Sequence, residues 1–376
     1  MVTKNHLTDR FPRIRPERLL PVDIVLSPSW WFTNCGITFD EDFFYHPVRR
    51  VEAEQHMEQA LFERWGKFGI GQHHLEERPE IGAVHLAAGF IISEMLGCQV
   101  EYRENQPPQV IPAEHENWHI DLENAFRSPA FQKLQRLSDN LYRKYHYLSG
   151  DVNWGGILNI ALDLRGQSIF LDMIENPQQV KRYFQDIGTV IFKFVNWVQD
   201  RTGSSSVSVN RNVIHLEPPL FLHSECSHTM ISATHYEEFL FQFDADWSRS
   251  QEAFGIHYCG TDPHRYAQSF AKLPRLDLLD VGWGGHIELL RENLPDTFLN
   301  LRLSPVEIIH QTPEEIGLTI EKLVKASGDP ELTGVCCINV DDQVKDEQIS
   351  AIFEAVERLR YGYQNNSLYG KPGVPR

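Results

Sequence analysis

The sequence predicts an α/β fold, one large barrel preceded by an N-terminal arm, and three observations lead there. Strand-like and helix-like segments alternate from about residue 80 to the C-terminus, the rhythm of repeated βαβ units around a parallel sheet. No Pro/Gly/Ser linker is long enough to divide the chain; Gly203 to Ser206 is the one candidate, and it reads as a short loop into a strand. A chain of 376 residues, 41% of them hydrophobic, can bury one large core.

The arm is taken as residues 1–45 and the barrel as residues 46–376. The arm is irregular and proline-rich, basic at Arg10, Arg13, Arg15 and Arg18, with an aromatic cluster at Trp30, Trp31 and Phe32. That cluster is expected to pack on the barrel or on a second copy of the chain, as in a homodimer. From Pro47 to Gly66 the spacing of Val51, Met57, Leu61 and Trp65 predicts a helix with those residues in the core. Strands are predicted at Val207 to Val213, Pro219 to Leu222, Ala253 to Cys259, Leu276 to Val281, Phe298 to Arg302 and Thr333 to Val340. Asn176-Pro177 and Thr312-Pro313 each place a capping side chain before a proline at the first helical position, and Thr312 with Glu315 makes a capping box.

Composition narrows the function. A formal charge of −17, from 52 acidic and 35 basic residues, repels a phosphate backbone, and no basic stripe offsets it. Nucleic acid is therefore not an expected partner. There is no secretory signal and no membrane-length apolar run, so a cytoplasmic location is expected. Six cysteines in so long a chain are too sparse for a disulfide scaffold, which leaves them free for metal binding or chemistry.

The strongest local signal is Gly255-Ile256-His257-Tyr258-Cys259-Gly260 at the end of an apolar run. Residues two apart on a strand share a face, so His257 and Cys259 can reach one ion, and imidazole with thiolate suits zinc. Such a pair can equally be packed core, so a third ligand decides its meaning. Cys336 and Cys337 end a later strand, 77 and 78 residues after Cys259. They face opposite ways, so one of the two is expected to bind, at the barrel face where strand ends converge.

The order of four stretches resembles the uroporphyrinogen decarboxylase superfamily over about residues 45–360. Gly155-Gly156-Ile157 to Gly166, with Glu175 to Val180 after it, is similar to the family's glycine-led strand and following helix. Ser224-Glu225-Cys226, Ile231-Ser232 and Tyr236-Glu237-Glu238-Phe239 resemble its acidic turn and "SPxxYEEF" helix start. His257-Tyr258-Cys259-Gly260 resembles its "HxCG" strand end, and Ser304-Pro305-Val306-Glu307 with Thr312-Pro313-Glu314-Glu315 its late turn and helix. The resemblance implies a (β/α)8 TIM barrel of this type.

The decarboxylase branch uses an arginine-rich N-terminal motif, an aspartate, a tyrosine and a late histidine. Here Pro28 to Cys35 holds no arginine, Glu94 stands at the aspartate position, the stretch from Gly155 to Gly166 holds no tyrosine, and Cys336 or Cys337 stands for the histidine. The sequence is more similar to corrinoid-protein-dependent methyltransferases. That resemblance implies zinc on His257, Cys259 and Cys336 or Cys337, with Cys336 slightly favoured. It also implies a methylcobamide carried by a separate corrinoid protein, and a small thiol such as coenzyme M, or a folate, as acceptor. Asp280, Glu225, Cys226 or His286 would supply a fourth ligand. Asp280 also fits an ordinary strand-end turn. Glu94, Glu225 and Arg302 are candidate cleft groups, with Glu94, Glu225 and Asp280 taken as the catalytic set. In Val281-Gly282-Trp283-Gly284-Gly285-His286 the glycines permit close approach of a ligand, so Trp283 and His286 are candidate cofactor contacts; a flexible loop with a packed tryptophan is the plainer reading and the preferred one. Two other functions remain open: a decarboxylase or lyase on the same fold, and a non-catalytic partner of a corrinoid system.

Overall fold

The computed structural model describes residues 15–16, 18–73, 76–82, 89–203, 216–217 and 220–368. Its strands are β1 (Arg15–Pro16), β2 (Val22–Leu26), β3 (Gln99–Arg103), β4 (Gln106–Ile111), β5 (Leu216–Glu217), β6 (Leu220–Ser224), β7 (Ala253–His257), β8 (Leu278–Val281), β9 (Phe298–Leu303) and β10 (Thr333–Val340). β3 with β4 and β1 with β5 form separate two-stranded antiparallel pairs. The main sheet is parallel, in the order β2-β10-β9-β8-β7-β6.

That order carries the architecture. From β6 to β10 each strand pairs with the next in sequence, with helices between them. The first strand of the sheet, β2, then pairs with the last, β10, which is how a singly wound barrel joins its two ends and how an open doubly wound sheet does not. Every residue of β6 to β9 is buried, because helices cover one face of the curled sheet and its inner face is packed as well. Alternation sorts the side chains. Leu220, Leu222, Ala253, Leu278 and Phe298 form an interior plug, while Phe221, Phe254, Ile256, Leu279, Leu299 and Leu301 join the main core beneath the helices.

Among the described residues the sheet has six strands. A further parallel bridge joins Glu80 to Ser149, and a Cβ on Gly82 would lie 1.6 Å from the Asp151 carbonyl oxygen, so two more segments run closely side by side. Trp154 then meets the rings of Phe221 and His223 on β6.

The expected irregular arm is corrected in its second half. Val22–Leu26 is a strand of the main sheet, and Pro28–Cys35 is a helix capped by the Ser27 side chain and closed by Gly36 at φ 67°. Trp30 and Trp31 are fully buried in the same core, against Trp65 in the case of Trp30, and so face their own chain. The helix from Pro47 ends at Trp65 as its spacing suggests. Thr312 and Glu315 make the capping box. Pro177 does open a long helix, but Asn176 adopts φ −131° and makes no side-chain cap, a correction to its expected role. Thr333–Val340 is found residue for residue, and the strand expected at Pro219 to Leu222 is Leu220–Ser224. The strand expected at Val207 to Val213 lies outside the described residues, as does Pro219. No described helix is long and apolar enough to cross a membrane.

Candidate metal centre

Two adjacent strand ends build the site. Ser224 on β6 is in register with His257 on β7, and each chain runs two residues further to a cysteine, Cys226 and Cys259. Parallel neighbours lie about 4.8 Å apart, so equal extension past a registered pair keeps the two cysteines side by side. The Sγ atoms of Cys226 and Cys259 and a ring nitrogen of His257 all lie within 4.8 Å of one another. Both cysteines are partly exposed, while His257 is fully buried. Tetrahedral zinc with bonds of about 2.3 Å to sulfur and 2.0–2.1 Å to nitrogen needs ligand atoms roughly 3.5–3.8 Å apart. A contraction of about 1 Å or less reaches that, and two thiolates with one imidazole are a zinc-like donor set.

Behind the three donors lies a buried ionic layer. Asp280, registered opposite His257, takes a short hydrogen bond from His257 Nδ1. The carboxylate can only accept, so with the proton on Nδ1 the Nε2 atom is the one that could face a metal, the arrangement that orients most ligating histidines; Arg302 Nη2 also lies 3.0 Å from Nδ1 and 3.5 Å from Nε2. Arg302 reaches over from β9, with Nη2 3.0 Å from Asp280 Oδ2 and Nη1 3.4 Å from Cys259 Sγ. Asn300 donates to Asp280 Oδ1 at 3.5 Å. Charge balances in two pairs: Asp280 offsets Arg302, and two thiolates would offset one divalent zinc.

The sulfurs are unequal. The Cys226 thiol donates to Cys259, which with His257 and Arg302 holds the Cys259 thiol well below its usual range against burial. Donation to Cys259 and burial push Cys226 well above it. Burial disfavours the charged form of His257, but Asp280 outweighs this and raises it.

The structure departs from the expected ligand set at β10. Cys336 and Cys337 do not join His257 and Cys259; Cys226 does. Cys336 is registered with Arg302 and lies 3.9 Å from Asp280 Oδ1, so the guanidinium and carboxylate occupy the space between it and Cys259. Cys337 points the other way, 3.8 Å from the Leu303 carbonyl, in the core beneath the helices, where burial pushes its thiol to about 12.

The other expected site residues scatter. Asp280 is buried behind the donors and bonded to His257 and Arg302, so it is not one of the three clustered donors, and its partners lie on the neighbouring strands and not in its own loop. Glu225 faces away from the cluster: its carboxylate caps the helix Ile157–Arg165, accepting from Leu158 N at 2.7 Å, Asn159 N at 3.2 Å and Ser227 N at 3.2 Å. This explains Gly156, where a Cβ would lie 2.5 Å from Glu225 Oε2. Burial raises Glu225 to about 7 against those donors and His223. Glu94 pairs with Lys133 at 3.4 Å, beside Tyr45 and Tyr102, and burial raises it. Trp283 is half-buried and His286 exposed, its ring against His264. The glycines before them serve chain packing: a Cβ on Gly282 would lie 1.8 Å from the Gly260 carbonyl oxygen, so the loops after β7 and β8 touch by their backbones.

Sequence reasoning counted Cys226 only as a spare fourth ligand. The missing signal was register, since Ser224-x-Cys226 repeats the offset of His257-x-Cys259 on the neighbouring strand. A second buried chain also went unread, on the helix side of β6: His223 Nδ1 meets Asp244 Oδ1 at 2.6 Å, and Tyr236 donates to Asp244 Oδ2 at 2.7 Å.

No protein-family model and no curated sequence matches the chain. Solved structures do. A B12-independent methionine synthase from Shewanella sp. W3-18-1, in complex with selenomethionine, aligns at 9% identity and TM-score 0.49 over 94% of this chain and 100% of that one. A putative vitamin-B12 independent methionine synthase from Listeria monocytogenes aligns at 11% identity and TM-score 0.46, over 96% and 100%. A methyltransferase from Methanosarcina mazei aligns at 13% identity and TM-score 0.61, over 92% of this chain and 95% of that one. That last likeness shows the fold the two chains share, a TIM-barrel-like α/β architecture.

Proposed function

We propose that the chain is a zinc-dependent methyltransferase that moves a methyl group between a methylcobamide, held by a separate corrinoid protein, and a small thiol or similar acceptor. The observation that carries this reading is the convergence of Cys226, His257 and Cys259 at neighbouring strand ends, with ligand atoms within 4.8 Å of each other. The fold shared with the Methanosarcina mazei methyltransferase supports it. In the same reading, the segments around Glu80 and Ser149 complete the barrel to eight strands.

Zinc bound there would lower the pKa of an acceptor thiol at its open position and keep it a soft nucleophile. The protein's share is geometric and electrostatic. Asp280 holds the Nδ1 proton, which presents His257 Nε2 to the site. Arg302 keeps negative charge on Cys259 and is itself neutralised by Asp280. With three protein donors a bound zinc would keep one position open to the acceptor, and attack on a methyl carbon needs no protein base.

The test is conversion of methylcobalamin, followed by its visible spectrum, with coenzyme M and a panel of small thiols. Zinc-loaded protein is expected to methylate at least one thiol, and His257→Ala and Cys259→Ser to lose roughly 100-fold or more of that rate. Activity on a carboxylated substrate that survives chelation would instead establish the decarboxylase or lyase alternative.

A further inference from the structure

Cys226 and Cys259 are the two cysteines whose sulfurs the structure brings together, and their juxtaposition has chemistry of its own. The Sγ atoms of Cys226 and Cys259 lie within 4.8 Å of each other. Ser224 and His257 are a registered pair on neighbouring strands, which run about 4.8 Å apart, and each cysteine follows two residues on, Cys226 as the first residue of a short 3-10 turn; a disulfide tolerates Cα atoms roughly 4.4–6.8 Å apart. Side-chain rotation must then close the sulfurs to about 2.05 Å. Both residues are partly exposed, so a small oxidant can reach them. Arg302 Nη1, 3.4 Å from Cys259 Sγ, stabilises negative charge on that sulfur. The other cysteines differ. Cys98, Cys336 and Cys337 are buried, the last two on opposite faces of β10, and Cys35 stands at the end of a helix.

We propose that Cys226 and Cys259 form a reversible disulfide when the metal-free protein meets a hydroperoxide, a modification that takes both sulfurs out of metal binding. The Cys259 thiolate attacks the peroxide oxygen, the O–O bond breaks, and an alcohol, or water from hydrogen peroxide, leaves. Cys259 is then a sulfenic acid. The Cys226 sulfur attacks it, the S–O bond breaks, and the hydroxyl leaves as water with the Cys226 proton. In sum, two thiols and one hydroperoxide give one disulfide, one alcohol and one water; the sulfurs lose two electrons and the O–O bond accepts them. The pairing stands on geometry alone. That bound zinc should block it is the part that rests on the proposed function.

The experiment is peptide mapping by mass spectrometry after chelator-stripped, full-length protein is treated with hydrogen peroxide and alkylated. The expected result is a peptide pair joined through Cys226 and Cys259, two hydrogens lighter than its thiols and released by dithiothreitol. Zinc-loaded protein should form it on the order of tenfold more slowly. Equal rates with and without zinc would keep the disulfide and count against the zinc site. Cys226 fully alkylated, with Cys259 either unmodified or carried to sulfinic acid, would overturn the disulfide and leave the zinc reading standing. Cys226→Ser should send Cys259 on to sulfinic acid, whereas Cys35→Ser should keep the cross-link; if Cys226→Ser does not fold, the wild-type map decides alone.

Discussion

β7 and β10 both bring cysteine to the sheet, yet their surroundings give those sulfurs opposite prospects. At β7, the strand ends on His257 and the chain carries Cys259 past the sheet edge, beside an equal extension of β6. At β10, Cys336 and Cys337 lie within the strand, three residues or more before Val340, each sealed on its own face. Between the two regions stands Arg302, opposite Cys336 in register and bound to Asp280 and Cys259. The lesson is that a cysteine near the end of a barrel strand is not thereby a ligand. Depth along the strand, and the neighbour's side chain in the gap, decide what it can touch.

The sharpest way to break this comparison is to remove the donors at β7. His257→Ala and Cys259→Ser are expected to abolish stoichiometric zinc, read by plasma mass spectrometry of protein purified without chelator. Retained zinc in both would leave β7 no different from β10. A smaller effect is expected from Asp280→Asn, which keeps the shape but cannot hold the His257 proton or balance Arg302 as well; zinc affinity should fall about 10–100-fold with the stoichiometry unchanged. Unchanged affinity there would show that the ionic layer is only packing.

Smaller still, and gradual, is the pH dependence. Hydrogen bonding to Cys259 and burial hold the Cys226 thiol above its usual range, so it keeps its proton near neutrality. Zinc must displace that proton, so affinity rises with pH, by about tenfold per unit for each proton released. His257, raised by Asp280, adds a second proton at the acid end, so the slope steepens as pH falls. Competitive zinc titrations from about pH 6.5 to 8.5 read this slope. A flat profile would mean that Cys226 is not a ligand.

Much of the fold was legible because it rests on local rules. Thr312-Pro313-x-Glu315 starts a helix by its own hydrogen bonds, and the apolar run from Thr333 to Val340 is a strand because both its faces are covered. Val22–Leu26 was missed because its strand character depends on β10, more than 300 residues away, and a short run after Pro21 carries little signal alone. The site divides in the same way. His257-x-Cys259 was visible as strand alternation, while Cys226 depended on the register of β6 against β7, and the separation of Cys336 depended on the reach of one arginine. Glu225 looked like a cleft acid in the sequence and is a helix cap in the structure, because the glycine that seats it is 69 residues earlier.

The central claim is that the third ligand, the second of two sulfurs, comes from the end of β6 and not from β10. The most direct measurement is zinc content and affinity of Cys226→Ser and Cys336→Ser side by side, with folding checked by circular dichroism. The expected result is about one zinc per chain in wild type and Cys336→Ser, as one site requires, and loss of tight binding in Cys226→Ser. Zinc kept by Cys226→Ser and lost by folded Cys336→Ser would contradict the account and move the site to the far side of Arg302.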